Sequence, residues 1–314
     1  MERAPDTFQS FLERYGGFKI AIATHSRADA DALASAFALS KLLPNSVICT
    51  EEEMNEGARF LSERLGIKTV ELSSLDPKAF EGLALVDTSA YTLIPHAKAW
   101  KILLIIDHHQ SEGRDIKGEF EIIDSSSPST AEIIANLGKE LDKDAAFALC
   151  VGIIADAARF KSARAGTFET LGRLMKLCGA DYAELLSIAE PEPKDEAKIA
   201  ILTAFKRVEY VYAGGYLIAT TEVGSNESDV ASLLAEAADV AFVAKWKDKE
   251  KETRISARAR KSVKVPLNEV MAEVGKELGG AGGGHAKASG AALKAHTDEA
   301  LKTCVEVFVR MAER

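Results

Sequence analysis

The stretch Ile102-Leu-Leu-Ile-Ile-Asp-His-His109 decides the fold that we predict for this chain. Five large apolar residues in a row, Ile102 to Ile106, predict a strand that is buried on both faces, as in a parallel sheet. The run stops at Asp107, His108 and His109. Because ligands bind at the carboxyl ends of strands in an open parallel sheet, these side chains predict a functional site. The alternative from this stretch alone is a strand that enters a solvated polar turn.

The first predicted strand, Phe18–Thr24, also ends on polar side chains. His25 follows it, and Asp29 and Asp31 lie in the turn before the Ala-rich helix that we predict from Ala32. A single aspartate at this turn would be explained as a helix cap. Two aspartates beside a strand-end histidine exceed what a cap requires, so the turn is a second candidate for the same site.

Strands alternate with helices along the first half of the chain. Leu83–Val86 is a further predicted strand, and it ends on Asp87. This alternation is typical of an α/β domain with a doubly wound, mostly parallel sheet. Since the carboxyl ends of parallel strands meet at one edge, we expect His25, Asp87 and Asp107 to lie close together.

A carboxylate interrupts the long apolar helix predicted from Ala145 to Phe160. Burial of Asp156 there would be costly unless the group is paired or bound to a metal. The alternatives are that Asp156 lies on the wet face of the helix, or that it pairs with Arg159 or Arg164.

These side chains together suit a pair of divalent cations. Imidazole and carboxylate ligands without cysteine fit manganese, with magnesium, cobalt or iron as alternatives. Asp107 and His109 lie next to the candidate ligands. The candidate ligands are His25, Asp29, Asp31, Asp87, His108 and Asp156.

The second half of the chain has a different pattern. The segment 189–196 contains two prolines among charged residues and predicts a linker between residues 1–188 and 197–314. We predict two hairpins there, one around Gly214-Gly215 and one around a charged tip, together with four helices and a last strand. This pattern predicts a smaller α+β domain.

A glycine-rich run, residues 279–290, follows the penultimate predicted helix. We expect a loop there, in which Gly282, Gly283 and Gly284 let backbone N–H groups approach an anion. A following helical turn would add its dipole, and His285 would supply a side-chain donor. Arg258, on a predicted strand, could add a bidentate phosphate contact. A flexible loop and a surface arginine are the alternatives.

The charge of the chain restricts its partners. The 314 residues carry a net charge of −9. From residue 191 onward 19 basic and 19 acidic residues balance, so the first 190 hold 39 − 19 = 20 basic and 48 − 19 = 29 acidic residues. An acidic half argues against non-specific duplex binding.

The chain has no apolar run long enough for a membrane span and no secretory signal, and its four cysteines are scattered. We therefore expect a cytoplasmic protein without membrane contact.

Five motifs, in the same order, resemble those of the DHH phosphoesterases. The branch that they resemble carries a DHH-associated C-terminal domain and includes the nanoRNases, oligoribonucleases and RecJ-like nucleases. In the first motif Ala28 and Ala30 replace the usual proline and glycine, which leaves the ligands in place. The motifs are Thr24-His-Ser-Arg-Ala-Asp-Ala-Asp-Ala32, Val86-Asp-Thr88, Asp107-His-His109, Gly152-Ile-Ile-Ala-Asp156 and Gly282-Gly-Gly-His285.

The resemblance implies a position for each candidate residue. Residues 1–188 would be the DHH catalytic, metal-binding domain and residues 197–314 the substrate-binding domain, with an active-site cleft between them. One ion would bind His25, Asp29 and Asp87, and Asp87 would be shared with a second ion. Asp107 would orient a ligand, and His109 would face the scissile phosphate. The second ion would bind Asp31, Asp87, His108 and Asp156, and the substrate phosphate or terminal nucleotide would bind Arg258, Gly283, Gly284 and His285.

The resemblance also implies an activity. We expect a manganese-dependent phosphodiesterase that hydrolyses short oligonucleotides, nanoRNA or short single-stranded RNA or DNA, to mononucleotides by two-metal catalysis. Magnesium or cobalt could replace manganese. The resemblance leaves open whether the protein forms a homodimer. Alternative substrates are a cyclic or linear dinucleotide and 3′-phosphoadenosine 5′-phosphate. An inorganic pyrophosphatase shares the first-half motifs, but the Gly-Gly-Gly-His element argues against it. A non-catalytic RecJ-like scaffold of a replication complex is the remaining alternative.

Overall fold

The computed structural model describes residues 3–109, 114–157 and 160–314. The chain folds as two compact units, Met1–Glu192 and Pro193–Arg314, and each is described by itself. Arg159 lies outside the described residues, so its pairing with Asp156 stays a prediction. The first unit is α/β and the second is a smaller sheet with helices, which confirms the predicted fold class.

Six strands form the sheet of the first unit. They are β1 (Ile20–Ala23), β2 (Ser46–Thr50), β3 (Val70–Glu71), β4 (Gly82–Val86), β5 (Ile102–Asp107) and β6 (Phe120–Ile123). The order is β3-β2-β1-β4-β5-β6, and every neighbouring pair is parallel. The strand order therefore reverses between β1 and β4, which is the position where open parallel sheets bind ligands.

The three central strands are buried along their whole length, as the apolar run at Ile102 predicts. Alternate residues contribute to separate cores: Ile22 and Ile106 to one, Ala23 and Ile105 to the other. Both faces of the sheet are therefore covered. The helices of this unit are α1 (Ala4–Tyr15), α2 (Ala30–Leu42), α3 (Glu56–Leu65), α4 (Thr130–Ala135), α5 (Lys143–Asp156), α6 (Ala165–Cys178) and α7 (Tyr182–Ala189).

Helix α4 is shorter than the helix that the sequence predicts over residues 129–141. Asn136 and Gly138 follow its last turn, and Gly138 has a φ of +72°, a left-handed conformation that ends a helix. The prediction was wrong about the length and right about the start, where Ser129 caps the helix.

The second unit has one mixed sheet in the order β11-β12-β10-β9-β8-β7. The hairpins β7–β8 and β9–β10 are antiparallel, which confirms both predicted hairpins, and β8 pairs with β9 in parallel. Its strands are β7 (Glu209–Ala213), β8 (Tyr216–Glu222), β9 (Val240–Lys247), β10 (Glu252–Ala259), β11 (Ala281–His285) and β12 (Ala288–Leu293). Its helices are α8 (Asp195–Lys206), α9 (Glu227–Ala237), α10 (Leu267–Glu277) and α11 (Thr297–Ala312).

The glycine run is a strand, and the predicted loop was wrong. Residues Ala281–His285 form the edge strand β11, which turns directly into β12, so no helical turn follows the run. The physical reason is close packing against α10: a Cβ on Gly282 would lie 2.0 Å from the carbonyl oxygen of Met271. Glycine therefore lets the strand approach the helix backbone.

Among the described helices, none combines the length and apolar character that a membrane crossing requires.

Candidate metal centre

His25 lies two residues after the end of β1, and a hydrogen bond to the backbone fixes the orientation of its ring. The Nδ1 atom donates to the carbonyl oxygen of Ser26 at 2.8 Å, so Nε2 is the ring nitrogen that is left to bind a metal ion. This Nε2 lies 3.5 Å from Oδ2 of Asp87, the residue that follows β4. The two neighbouring strands thus bring these side chains together, as predicted.

Asp29 caps helix α2 and also belongs to the site. Its Oδ1 accepts from the backbone N–H of Ala32 at 3.0 Å, which is the usual bond of a cap. Ligand atoms of His25, Asp29 and Asp87 all lie within 4.8 Å of one another. The two alternatives that the sequence offered for Asp29, cap and ligand, are therefore compatible.

Asp31 is buried and held by backbone donors. Its Oδ2 accepts from the N–H of Thr130 at 2.8 Å and its Oδ1 from the N–H of Ala131 at 2.9 Å. Both donors begin helix α4, where backbone N–H groups have no partner within the helix. The start of α4 therefore fixes this carboxylate.

Asp87 is at the centre of the cluster. It has a φ of +61°, a left-handed conformation that aspartate adopts more readily than most residues. Its Oδ1 accepts from the hydroxyl of Thr130 at 2.8 Å and lies 3.5 Å from Nε2 of His108 and 3.8 Å from Nδ1 of His109. Strained backbone at such a position is typical of functional sites.

His108 connects Asp87 to the end of helix α5. Its Nδ1 donates to the carbonyl oxygen of Ser127 at 3.3 Å, and its Nε2 lies 3.1 Å from Oδ2 of Asp156. Asp156 is the last residue of α5, and its side chain is about one-third exposed, at 35%. Arg164, offered by the sequence as a partner of Asp156, is 2.8 Å from Glu132.

Asp107 orients His109. Its Oδ1 accepts from the backbone N–H of His109 at 3.1 Å and from Nδ1 at 2.8 Å, while Oδ2 accepts from the hydroxyl of Ser89 at 2.6 Å. Arg114 donates in turn to Ser89 at 3.1 Å. This chain of bonds leaves Nε2 of the half-exposed His109 ring for another partner.

Three groups of side chains in the described part of the chain have the spacing of metal ligands. In each, the ligand atoms lie within 4.8 Å of one another. Asp87 belongs to two of the groups, and His108 belongs to two. The groups are His25, Asp29 and Asp87; Asp31, His108 and Asp156; and Asp87, His108 and His109.

The carboxylates of the cluster repel one another. Burial, followed by the charges of Asp87 and Asp156, raises the pKa of Asp31 well above its ordinary value. Burial and the charge of Asp87 likewise raise the pKa of Asp29. A cation among these oxygens would relieve the repulsion, because an opposite charge nearby favours the ionised carboxylates.

Protonated imidazoles also bring positive charge to the carboxylates of the cluster. Burial opposes the charged form of His25, but its bonds to Asp87 and the Ser26 carbonyl outweigh burial and raise its pKa to about 9. Burial opposes the charge of His108 too, yet its bond to Asp156 helps raise its pKa to about 10. The bond to Asp107 raises the pKa of His109.

Asp107 behaves in the opposite way. Burial tends to raise its pKa, but the bonds from His109 and Ser89 outweigh burial and lower the pKa to about 2. Asp107 is therefore an anion beside His109 at neutral pH. The mixed nitrogen and oxygen donors fit divalent cations of the manganese and magnesium type.

The second unit brings together only part of the predicted substrate site. Arg258 and Gly283 line one groove of about 580 Å³ on the face of the sheet, together with Ser256 and Ser228. His285 pairs with Ala288, which pairs with Arg258, so it lies in the same row of the sheet. Gly284 alternates to the opposite face and has a φ of +132°.

Arg258 is held in place within this groove. Its guanidinium donates to the hydroxyl of Ser228 at 2.7 Å and to the carbonyl oxygen of Ala257 at 3.0 Å. A Cβ built on Gly283 meets no atom within 4 Å, so its backbone is open on the groove side.

Sequence reasoning missed the residues that hold the ligands. Thr130, Ser89 and Ser127 contact Asp87, Asp107 and His108 through a hydroxyl or a carbonyl group. The only signal in the sequence was the helix start after Pro128. Serine and threonine are too common at helix starts and turns for this signal to indicate contact with a distant strand.

The family now follows from comparison with known proteins. The model of the DHH family N-terminal domain matches residues 19–153, and the DHHA1 domain model matches residues 215–311. An uncharacterised protein of Methanocaldococcus jannaschii is 34% identical over 311 residues, which cover 91% of this chain and 92% of that protein. The chain belongs to the DHH family. Of the predicted ligands, Asp156 lies three residues beyond the first match.

Solved structures share the fold of this DHH chain. An exopolyphosphatase-related protein from Bacteroides fragilis has a TM-score of 0.79 at 16% identity, and the match covers 98% of this chain and 96% of that one. RecJ from Thermus thermophilus, solved in complex with Mn²⁺, has a TM-score of 0.53 at 14% identity. That match covers 98% of this chain and 54% of RecJ, so the chain spans about half the length of that nuclease.

Proposed function

We propose that this protein is a manganese-dependent phosphodiesterase that hydrolyses short oligonucleotides to mononucleotides. One observation carries the proposal: two groups of side chains with the spacing of metal ligands adjoin each other, since Nε2 of His108 in one group lies 3.5 Å from Oδ1 of Asp87 in the other. RecJ has the same fold and was solved in complex with Mn²⁺, which supports the choice of metal. A RecJ of this fold is an exonuclease, which supports the choice of a nucleic-acid substrate. Magnesium or cobalt would satisfy the same donors.

The ligands would be divided between two cations. His25, Asp29 and Asp87 would hold one, and Asp31, His108 and Asp156 the other, with Asp87 shared. When bound, two such cations supply the positive charge that acidifies a water nucleophile and offsets charge on the phosphoryl oxygens.

The other residues of the first unit act on the substrate. Because Nδ1 of His109 donates to Asp107, Nε2 is the ring nitrogen that faces the substrate, and in the protonated ring Nε2–H would donate a hydrogen bond to a non-bridging phosphoryl oxygen. The Asp107 carboxylate raises the pKa of this ring and orients it, and the hydroxyl of Ser89, to which Arg114 donates, holds that carboxylate. The charge on His109 would become more favourable as negative charge develops on phosphorus oxygens.

The second unit would bind the rest of the substrate. Arg258 and the open backbone of Gly283 line one groove of about 580 Å³, which suits a phosphate with its nucleoside. His285 in the same row of the sheet would add a donor. The predicted cleft between the domains and the role of Gly284 stay predictions.

A substrate panel tests this function. The metal-free protein is incubated with Mn²⁺, Mg²⁺, Co²⁺ or EDTA and with end-labelled RNA and DNA, from phosphorylated dinucleotides to oligomers several times longer. Linear and cyclic dinucleotides, 3′-phosphoadenosine 5′-phosphate and pyrophosphate complete the panel. We expect Mn²⁺-dependent release of mononucleotides, fastest from the shortest oligomers. Hydrolysis of pyrophosphate alone, or no hydrolysis of any phosphodiester with any metal, would contradict the proposal.

A further inference from the structure

Thr130 contacts both halves of the ligand cluster. It is the first residue of α4 and is fully buried. Its hydroxyl donates to Oδ1 of Asp87 at 2.8 Å, while its backbone N–H donates to Oδ2 of Asp31, also at 2.8 Å. One residue therefore holds carboxylates from both ligand groups.

The Thr130 hydroxyl lies closer to the Asp87 carboxylate than any of three neighbouring histidines does. His25, His108 and His109 lie 3.5, 3.5 and 3.8 Å from its oxygens, whereas the Thr130 hydroxyl is at 2.8 Å. The histidines would turn to the cations, whereas the Thr130 hydroxyl donates to the Asp87 carboxylate itself. It therefore fixes the rotation of the carboxylate that two cations would share.

The surroundings of Thr130 explain why it can be rigid. Ser129 caps α4 by accepting from the N–H of Glu132 at 3.1 Å, and Glu132 is paired with Arg164 at 2.8 Å. The opposite partner, Asp87, has a left-handed backbone that the surrounding structure has to maintain. The Thr130 hydroxyl meets that requirement, because it is held in place at the start of α4.

We propose that Thr130 is a positioning residue for the cations, and that its hydroxyl sets the orientation in which Asp87 joins the two ligand groups. This rests on the proposed function in that the cluster binds divalent cations. Groups that orient a metal ligand in this way are worth about 10- to 100-fold in metal affinity.

The test compares Thr130→Val, which keeps the shape and the backbone N–H but loses the hydroxyl, with Thr130→Ser, which keeps the hydroxyl. Thr170→Val is the matched control, because Thr170 is a buried threonine of the same unit whose hydroxyl bonds to Asn136. Mn²⁺ is titrated calorimetrically into each metal-free protein, and circular dichroism reports folding. Thr130→Ala replaces Thr130→Val if the latter does not fold.

We expect Thr130→Val to bind Mn²⁺ at least about tenfold more weakly than wild type, with Thr130→Ser and Thr170→Val close to wild type. Equal Mn²⁺ affinity of a folded Thr130→Val and wild type would overturn the inference, as would absence of Mn²⁺ binding by wild type. If wild type binds Mn²⁺ but cleaves no phosphodiester, the proposed function fails while the inference about Thr130 is still decided by the titration.

Discussion

The carboxylate of Asp31 lies directly against Gly152 on helix α5. A Cβ built on Gly152 would come within 2.9 Å of Oδ1 of Asp31 and within 2.9 Å of the side chain of Ala131. Helix α5 can therefore approach the ligand cluster only because this position has no side chain. The Gly152-Ile-Ile-Ala-Asp156 motif thus places two features together, the space for Asp31 and the carboxylate of Asp156.

Gly152→Ala should displace Asp31 and weaken both folding and metal binding. Overpacking of this kind costs about 1–3 kcal/mol in the free energy of unfolding, and we expect a matching loss of Mn²⁺ affinity. The control is Gly172→Ala on α6, where a Cβ meets nothing within 4 Å, and alanine should stabilise the helix by up to about 1 kcal/mol. Urea unfolding and Mn²⁺ titration measure both. Equal stability of the two variants would show that α5 can shift freely.

The Ser89 hydroxyl should stabilise the protein through the charge of Asp107. The folded pKa of Asp107 is about 2, below its ordinary value of 3.8, so its contribution is present above about pH 4 and is lost as pH falls through 2. Ser89→Ala should cost about 1–3 kcal/mol at neutral pH, and the difference from wild type should shrink towards pH 2. Urea unfolding across this range, with Ser73→Ala as a control on an exposed serine, makes the comparison. A constant difference would mean that Ser89 acts independently of the charge.

Cation binding should release protons from the histidines. The raised pKa values of His25 and His108, about 9 and about 10, mean that both imidazoles are charged at neutral pH without metal. Cations bind only the neutral ring, so we expect about two protons released per chain at pH 7 and a rise in Mn²⁺ affinity as pH increases towards 9. The same shifts stabilise the metal-free fold below pH 6.5, and this contribution is lost through pH 9–10.

Calorimetry in buffers of different ionisation enthalpy counts the released protons. His25→Asn should release about one fewer. His96→Gln should leave the number unchanged, because His96 binds Glu51 away from the ligand groups. Binding without proton release in wild type would contradict the assignment of His25 and His108 as ligands.

Two adjacent glycines of β11 should respond differently to alanine. Gly282→Ala would place a Cβ 2.0 Å from the Met271 carbonyl oxygen and should destabilise the second unit by about 1–3 kcal/mol or more. Gly283→Ala meets no atom, so its stability should stay within about 0.5 kcal/mol of wild type. Its Cβ would instead occupy the groove beside Arg258 and should raise KM for oligonucleotides. An unchanged KM for a folded Gly283→Ala would show that the substrate does not bind in this groove.

The sequence could predict the cluster because strand ends in a parallel sheet follow a general rule. His25, Asp87 and Asp107 each come after a recognisable apolar strand, and the structure places them at one edge. The partners of these residues could not be predicted. Thr130 is 43 residues from Asp87, and nothing in a serine-threonine helix start indicates which distant carboxylate it contacts.

The glycine run shows a different limit. Glycine has no side chain to pack, so the run has no alternation of apolar and polar residues, and a loop was the natural prediction. Only the contact with the Met271 backbone on α10 shows why these glycines can form a strand.

The most direct test of the account is the number of Mn²⁺ ions that wild type and Asp87→Ala bind, measured by calorimetric titration of metal-free protein with circular dichroism as the folding control. In the proposed centre both cations share Asp87, so we predict two ions per chain in wild type and loss of tight binding of both in a folded Asp87→Ala, with Mn²⁺-dependent hydrolysis abolished. Two ions bound by Asp87→Ala with wild-type affinity would contradict the shared-carboxylate centre.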